Sequence, residues 1–386
     1  MLIFRKSEEK PIVGLDIGTT KVCAVVGFTG EDGLELVGFG TMPSRGLRKG
    51  LIISLEDMTQ SIREALKEAE ATAGCKIDTV YLGIGGEYIK SYNSGGSIIL
   101  KDKMVKESDI RKVIDLAVTN AIPSGETEII QIILQEFIVD GQRGIQKPLE
   151  LVGERLEVKV HVVTVGIPLL IDVIKYLSMS GLNVAGIVPR QLASAEAVLS
   201  MDERQLGVIL MDIGGETTDI AIYSRGGIIR NTLSVPAGGN IITRDIATVL
   251  KIPFQEAERI KIKYGCALTS TIHNDEIVEV MRTDERRAKT LSKKYLAGII
   301  EARVEDFLNL IKGELLKSGL NGLIASGIVV TGGAAKLEGM SEITKQIFSL
   351  PVRIGTPAGI EVMDEMLKDP VYATGVGLTL YGKKDR

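Results

Sequence analysis

Apolar positions along this chain follow two periods. Apolar-rich runs at Thr79–Ile84, Glu128–Val139, Val160–Val165, Val184–Val188 and Gly327–Thr331 read as strands, with Val160–Val165 expected in a lobe core. Between them, apolar residues recur at three- and four-residue steps. Over Ser54–Gly74, Leu55, Met58, Ile62, Ala65, Leu66 and Ala69 line one helical face. Ser54 caps that helix, Glu56 and Asp57 suit its positive end, and Gly74 stops it. A charged helix is expected near Lys106–Ala121, and Pro168 opens another through Met179, with Gly181 as its stop. Arg190–Ser200 and Ala373–Leu380 read as two more, the second rich in small residues that allow close helix packing. Strands interleaved with helices predict an α/β fold.

Two stretches half a chain apart repeat one design. Ile12–Val26 reads IVGLDIGTTKVCAVV and Gly207–Tyr223 reads GVILMDIGGETTDIAIY. Each is an apolar strand, Asp-Ile-Gly, a hydroxyl-rich turn and a second apolar strand, which predicts two related lobes. Gly18, Gly214 and Gly215 permit a tight hairpin through positive φ or close backbone approach. Consecutive N–H groups there, with the hydroxyls of Thr19, Thr20, Thr217 and Thr218, can wrap phosphate oxygens, and Lys21 adds a positive charge. Asp16 and Asp212, just before the turns, suit a hydrated Mg²⁺, which keeps its waters and needs few carboxylates. A third turn, Gly332-Gly333 in IVVTGGAAKLEGM, offers a backbone platform for a flat ring or a phosphate.

Composition narrows the classes. The 386 residues suggest two or three domains; 45% are apolar and 25% charged, the balance of a globular protein. A net charge of −4 shows no bulk basic character, so no nucleic-acid partner is expected. Three scattered cysteines and two histidines, without CxxC or HExxH, argue against structural zinc, and an odd cysteine count fits a reducing cytoplasm. Only four apolar residues precede the first charge, too few for a signal peptide, and no run of about 18 apolar residues predicts a membrane span.

The turns carry a resemblance. Gly14–Val22 is similar to the first phosphate motif, Met211–Asp219 to the second and Val329–Gly339 to the adenosine motif of the actin/Hsp70/sugar-kinase ATPase superfamily. The strings SRGLRKGLIISLEDMTQSIREALKEAE, VYLGIGGEYIKS, LQEFIVDGQRGI and RLEVKVHVVT resemble, within it, the bacterial cell-division family FtsA. The resemblance implies a two-lobed actin-like fold of duplicated RNase H-like domains. Lobe 1 would take residues 1–85 and 158–205, a relocated 1C-type subdomain 86–157, lobe 2 residues 206–242 and 301–386, and a 2B-like insertion 243–300.

It also implies ATP and Mg²⁺. Phosphate contacts would come from Gly18, Thr19, Thr20, Lys21, Gly214, Gly215, Glu216, Thr217, Thr218 and the turn at Gly238 and Gly239. Glu258, Lys261, Gly332, Gly333 and Lys336 would contact the nucleoside, with an ordinary surface ion pair as the plainer reading of Glu258 and Lys261. In ATP-hydrolysing relatives a Gln or Glu on the first connecting helix positions the attacking water; Glu196 is placed there, with Asp212 orienting metal and water. Turnover would be slow or absent, because the task is assembly.

The implied partners are the acidic C-terminal tail of FtsZ, further copies in an actin-like protofilament, and other division proteins through the 1C-like part. Arg282–Lys294 carries six basic and two acidic residues. It reads either as a solvated helix face or as part of the FtsZ dock, with Lys293, Lys294 and Arg303 foremost and Arg286 and Arg287 behind. Family members end in a linker and an amphipathic helix lying on the membrane, whereas Tyr381–Lys384 lacks an apolar face. Membrane contact is therefore expected only through a missing C-terminal helix or another anchor. The alternatives are a PilM-like pilus-assembly module and a small-molecule kinase of the same superfamily.

Overall fold

The computed structural model of the chain describes residues 10–30, 33–48, 51–121, 125–273, 275–281, 289–317 and 326–386. β1 (Ile12–Ile17), β2 (Lys21–Gly30) and β3 (Gly33–Pro43) form an antiparallel meander. A short hairpin of β4 (Leu47–Arg48) and β5 (Leu51–Ile52) leads to α1 (Leu55–Ala73), which packs on β2 and β3 and delivers β6 (Thr79–Ile84) parallel to β1. Its ends are those its capping residues predict: Ser54 Oγ accepts the Asp57 N–H at 3.3 Å, and Gly74 closes it at φ 66°.

An insertion follows. β7 (Ile89–Ile99), α2 (Glu107–Ala121), β8 (Thr127–Val139), β9 (Gln142–Ile145) and β10 (Arg155–Gly166) form a sheet of order β7-β10-β8-β9. The sheet has its own core around Val113, Phe137, Leu156 and Val158, with α2 packed on β7 and β10. Val160–Val165, expected in a lobe core, lies here instead: β10 pairs with β7 from Arg155↔Ile99 to Val165↔Ile89. The insertion sheet thus runs to Gly166, past the expected limit at Glu157. An apolar run buried on both faces reads alike whichever sheet receives it.

α3 (Ile167–Met179), β11 (Asn183–Pro189) parallel to β6, and α4 (Arg190–Val198) return the chain to the first lobe. α5 (Met201–Leu206), opened by a capping box between Ser200 and Glu203, leads to the second. There β12 (Ile209–Ile213), β13 (Thr218–Ser224) and β14 (Ile228–Val235) form another meander. α6 (Gly239–Leu250) and α7 (Phe254–Tyr264) follow, then a hairpin of β15 (Ile277–Val280) and β16 (Lys289–Ser292). α8 (Lys293–Lys317) precedes β17 (Ile328–Thr331) parallel to β12, α9 (Met340–Phe348) and β18 (Val352–Ile354). The orders β3-β2-β1-β6-β11 and β14-β13-β12-β17-β18 are one topology used twice.

Two expected boundaries move. α8 runs unbroken through Ile300, where the second insertion was expected to end. The last residues return to the first lobe, not the second. β19 (Glu361–Val362) pairs in parallel with β3, and α10 (Ala373–Asp385) packs on α4, β1 and β2. α10 also carries on past Leu380: the Tyr81 hydroxyl donates to Asp385 at 3.1 Å, so the Tyr381–Lys384 stretch is the end of a packed helix.

The insertion also touches the second lobe, through polar contacts with β14. His161, fully buried, has Nδ1 2.8 Å from Asn93 Oδ1 and Nε2 2.8 Å from Thr232 Oγ1. Ser91 Oγ donates to the Thr232 carbonyl at 2.6 Å and Gln135 Nε2 to the Ile229 carbonyl at 2.9 Å. Burial pushes the imidazole down to about 4, so a neutral ring with Nδ1–H donating and Nε2 accepting satisfies both contacts.

Candidate functional site

The duplicated turns close in the same way. Gly18 N–H donates to the Lys21 carbonyl at 2.8 Å, and Gly214 N–H to the Thr217 carbonyl at 2.9 Å. Neither Gly18, Gly214 nor Gly215 has positive φ. Close approach is what requires glycine here: a Cβ on Gly215 would lie 2.5 Å from Thr20 Cγ2, on the opposite lobe's turn. The second turn is braced from behind, where Gly239 N–H donates to the Gly214 carbonyl at 2.9 Å and Asn240 N–H to the Gly215 carbonyl at 2.7 Å. The third turn does use a left-handed glycine: Gly332 has φ 86°, and a Cβ there would meet Asp212 Oδ1 at 2.4 Å.

Between the turns lies a cavity of about 540 Å³, within the range of small-molecule sites. Asp16, Asp212 and Asp219 are all buried on its floor. Asp212 accepts from Ser194 Oγ on α4 and, at 2.9 Å, from Thr374 Oγ1 on α10. Burial nevertheless raises its carboxyl to about 6, against those two hydrogen bonds, with Asp219 and Asp16 adding to the rise. Asp219 accepts from Ser234 Oγ at 2.6 Å and from the Gly86 N–H at 3.3 Å, and burial raises it too. Two cations answer these acids. Lys21 Nζ stands 3.6 Å from Asp16 Oδ2, and Arg190 Nε 3.0 Å from Asp16 Oδ1.

Those contacts leave buried polar atoms over. Asp16 Oδ1, Lys21 Nζ and Arg190 Nε make no hydrogen bond. Paired buried charges whose hydrogen-bonding capacity is still open, beside backbone N–H turns, fit a metal–phosphate group. Among the described residues no cluster of three or more His, Cys, Asp or Glu is placed to chelate a metal alone. Asp16 and Asp212 are the carboxylates that would stand outside a hydrated Mg²⁺.

Toward the other end of the cavity, Lys261 Nζ pairs with Glu258 at 2.7 Å and donates to Thr243 Oγ1 at 2.8 Å. Gly333 faces open space, and Lys336 pairs with Asp369. Both members of the Glu258–Lys261 pair line the cavity, together with Gly239 and Lys336.

Four expected site residues lie elsewhere. Glu196 does not line the cleft; its carboxylate is taken by Arg204 at 3.1 Å and by Lys384. Its helix turns Arg190 and Ser194 toward the floor instead. Thr218 begins β13 with its hydroxyl turned inward, donating to the Ala237 carbonyl at 2.8 Å. Glu216 pairs with Arg244 at 3.1 Å, and Gly238 supports the turn without lining the cavity. Asp219, Arg190, Asn240 and Thr374 line the cleft and were not anticipated.

The expected FtsZ dock is only partly described. Arg286 and Arg287 lie outside the described residues. Lys289–Ser292, expected within a helical segment, forms β16. Lys293 pairs with Glu338 at 3.2 Å, and Arg303 with Asp245 at 2.5 Å. Lys294 is exposed at the start of α8.

Residues 209–377 match the family model described as Cell division protein FtsA, and residues 86–164 the one described as SHS2 domain inserted in FTSA. The Cell division protein FtsA of Pseudomonas aeruginosa is 44% identical over 374 residues, covering 97% of this chain and 89% of its own. Among solved structures, the PilM-PilN type IV pilus biogenesis complex aligns with a TM-score of 0.71 at 17% identity, over 96% of this chain and 98% of its own. MreB5 of Spiroplasma citri bound to ADP aligns with a TM-score of 0.57 at 16% identity, over 98% of each. These structures are alike in fold alone; the relative at high identity carries the family. The chain therefore has a two-lobed actin-like ATPase fold with an SHS2-type insertion and belongs to the FtsA family of cell-division proteins.

Proposed function

We propose that this division protein binds Mg-ATP between its lobes and serves as a scaffold that assembles with its own copies and captures the acidic tail of FtsZ. That capture would link the Z ring to the cytoplasmic membrane. The reading of the cleft rests on one observation above others: the duplicated turns face each other so closely that a Cβ on Gly215 would lie 2.5 Å from the Thr20 methyl. Two N–H-lined turns on separate lobes grip one phosphate chain, and a bound nucleotide then holds the lobes together. Mg²⁺ would neutralise phosphate charge; Asp16 and Asp212 would hold its waters while Lys21 offsets the remaining charge. The neighbour MreB5 bound to ADP supports a nucleotide in this fold.

Gly215→Val tests the cleft. Its side chain would wedge the turns apart without touching either lobe's core. ATP affinity by calorimetry should fall at least about 100-fold, while the melting temperature of the nucleotide-free protein stays within a few degrees. Unchanged affinity would remove the nucleotide from this cleft.

The partner reading is checked by titrating the protein into a labelled FtsZ C-terminal peptide and following anisotropy. Saturable binding that weakens with salt, and about tenfold more with Lys294→Glu, is expected from an exposed cation meeting an acidic peptide. No binding by a folded, ATP-competent sample would favour the PilM-like reading, since PilM in its PilN complex shares this fold.

A further inference from the structure

We infer that Arg190 is the group through which this cleft distinguishes a nucleoside triphosphate from a diphosphate, by holding the terminal phosphate rather than by activating a water. The inference rests on the nucleotide-binding reading above and adds to it a residue and a selectivity.

Arg190 is the first residue of α4, where β11 delivers the chain to the floor of the cleft. Its side chain is 15% exposed and lies beneath the first turn. One Nη donates to the Ile17 carbonyl, immediately before Gly18. Nε stands 3.0 Å from Asp16 Oδ1 but out of line, so it makes no hydrogen bond. The guanidinium is thus positioned by the protein while part of its donor set stays open. Space for it is kept by glycine: a Cβ on Gly85 would come within 3.0 Å of Arg190 Cδ and 2.7 Å of Asp219 Oδ2. Arg190 lines both the main cleft and a smaller cavity of about 40 Å³, together with Thr19 of the first turn and Thr217 of the second. It therefore stands where the two phosphate turns meet.

The chemistry of the residue decides what it can do there. A guanidinium has five donors and no acceptor, and it stays protonated, so it cannot take a proton from an attacking water. Its planar fork does match two oxygens of one phosphate. Among the other polar side chains of α4, Ser194 is committed to Asp212 and Thr374, Glu196 is held by Arg204 and Lys384, and Gln191, whose buried Oε1 has no hydrogen-bond partner, does not line the cleft. A triphosphate carries its extra charge on the terminal group, so a cation that meets this group favours ATP over ADP, while the turns and Lys21 serve both. The floor's three aspartates would otherwise repel that charge.

The test compares Mg-ATP and Mg-ADP affinities by calorimetry for the unaltered chain, Arg190→Gln and Arg190→Lys. The unaltered chain should prefer ATP by about tenfold or more; Arg190→Gln should bring the ratio close to one with ADP affinity within about twofold; Arg190→Lys should fall between. A ratio unmoved by Arg190→Gln overturns the inference. So does an equal loss for both nucleotides, which would mark a structural residue. If Arg190→Gln does not fold, the lysine variant decides: an unchanged ratio refutes, a reduced one supports. Absence of ATP binding by the unaltered chain would instead overturn the cleft assignment itself.

Discussion

Gly377→Ala is expected to lower the melting temperature by roughly 2–5 °C and to weaken nucleotide binding with it, although it adds one methyl group. A Cβ on Gly377 would lie 1.8 Å from the Ala193 carbonyl oxygen and 2.4 Å from its carbon, so α10 and α4 touch backbone to backbone there. Neither partner atom is a flexible side chain, so relief requires the helices to separate. The overpacking cost should reach about 3 kcal/mol or more, against a helix-propensity gain of about 1 kcal/mol. Separation would also spoil the floor of the cleft. Ser194 follows Ala193, Thr374 lies one turn before Gly377, and both hydroxyls hold Asp212. Gly298→Ala in α8 is the control: nothing stands within 4 Å of its Cβ, and it should gain about 0.5–1 kcal/mol. Calorimetric unfolding of the two variants checks both. A Gly377→Ala protein as stable as the unaltered one would show that α10 and α4 slide apart freely.

What was legible in the sequence is what short-range chemistry determines. Ser54 and Gly74 mark the ends of α1 because a cap and a left-handed stop act within a few residues. The paired hairpins are legible because a strand, a glycine turn and a second strand leave few other conformations. Helix phase was harder. α4 is buried from Gln191 through Val198 except at Glu196, so no polar stripe marks the side facing the cleft. Glu196 looked like the functional group because it is the helix's one carboxylate, and it is the residue that faces away. Strand phase, by contrast, follows from counting back from the turn. Closing the second turn between Gly214 and Thr217 places Ile213 opposite Thr218 and Asp212 opposite Asp219. Cross-strand partners share a face. The same count would have turned Thr218 inward and brought Asp219 to the floor; in the first repeat it places Cys23 opposite Asp16. The return of residues 361–386 to the first lobe depends on contacts across nearly the whole chain, which no local pattern encodes.

Asp212→Asn should move stability and binding in opposite directions. The carboxyl of Asp212 is raised to about 6 by burial, even with Ser194 and Thr374 donating to it. A carboxyl in the unfolded chain titrates near 3.9, so at neutral pH the folded protein carries a charge it would rather have neutralised, at a cost of about 3 kcal/mol. That cost is fully present above the folded value, shrinks as pH falls through about 6, and is gone below about 4, where both states are protonated. Asparagine keeps an acceptor for both hydroxyls and drops the charge. The variant should therefore melt several degrees higher near neutral pH, with the advantage vanishing toward about pH 4. His161, buried and held neutral, makes both proteins less stable as pH falls below the ordinary imidazole range, and so cancels in the comparison. The same change removes a carboxylate that would hold the metal's waters, so ATP affinity measured with Mg²⁺ should fall about 30-fold or more, and chelating the metal should make little further difference. Melting curves across pH and titrations with and without Mg²⁺ separate the two effects. A variant less stable at neutral pH would mean that the ionised carboxylate supports the folded state, and the case for Asp212 as a charge kept at a cost for ligand binding would fail. A stabilised variant that still binds Mg-ATP normally would place the metal elsewhere in the cleft.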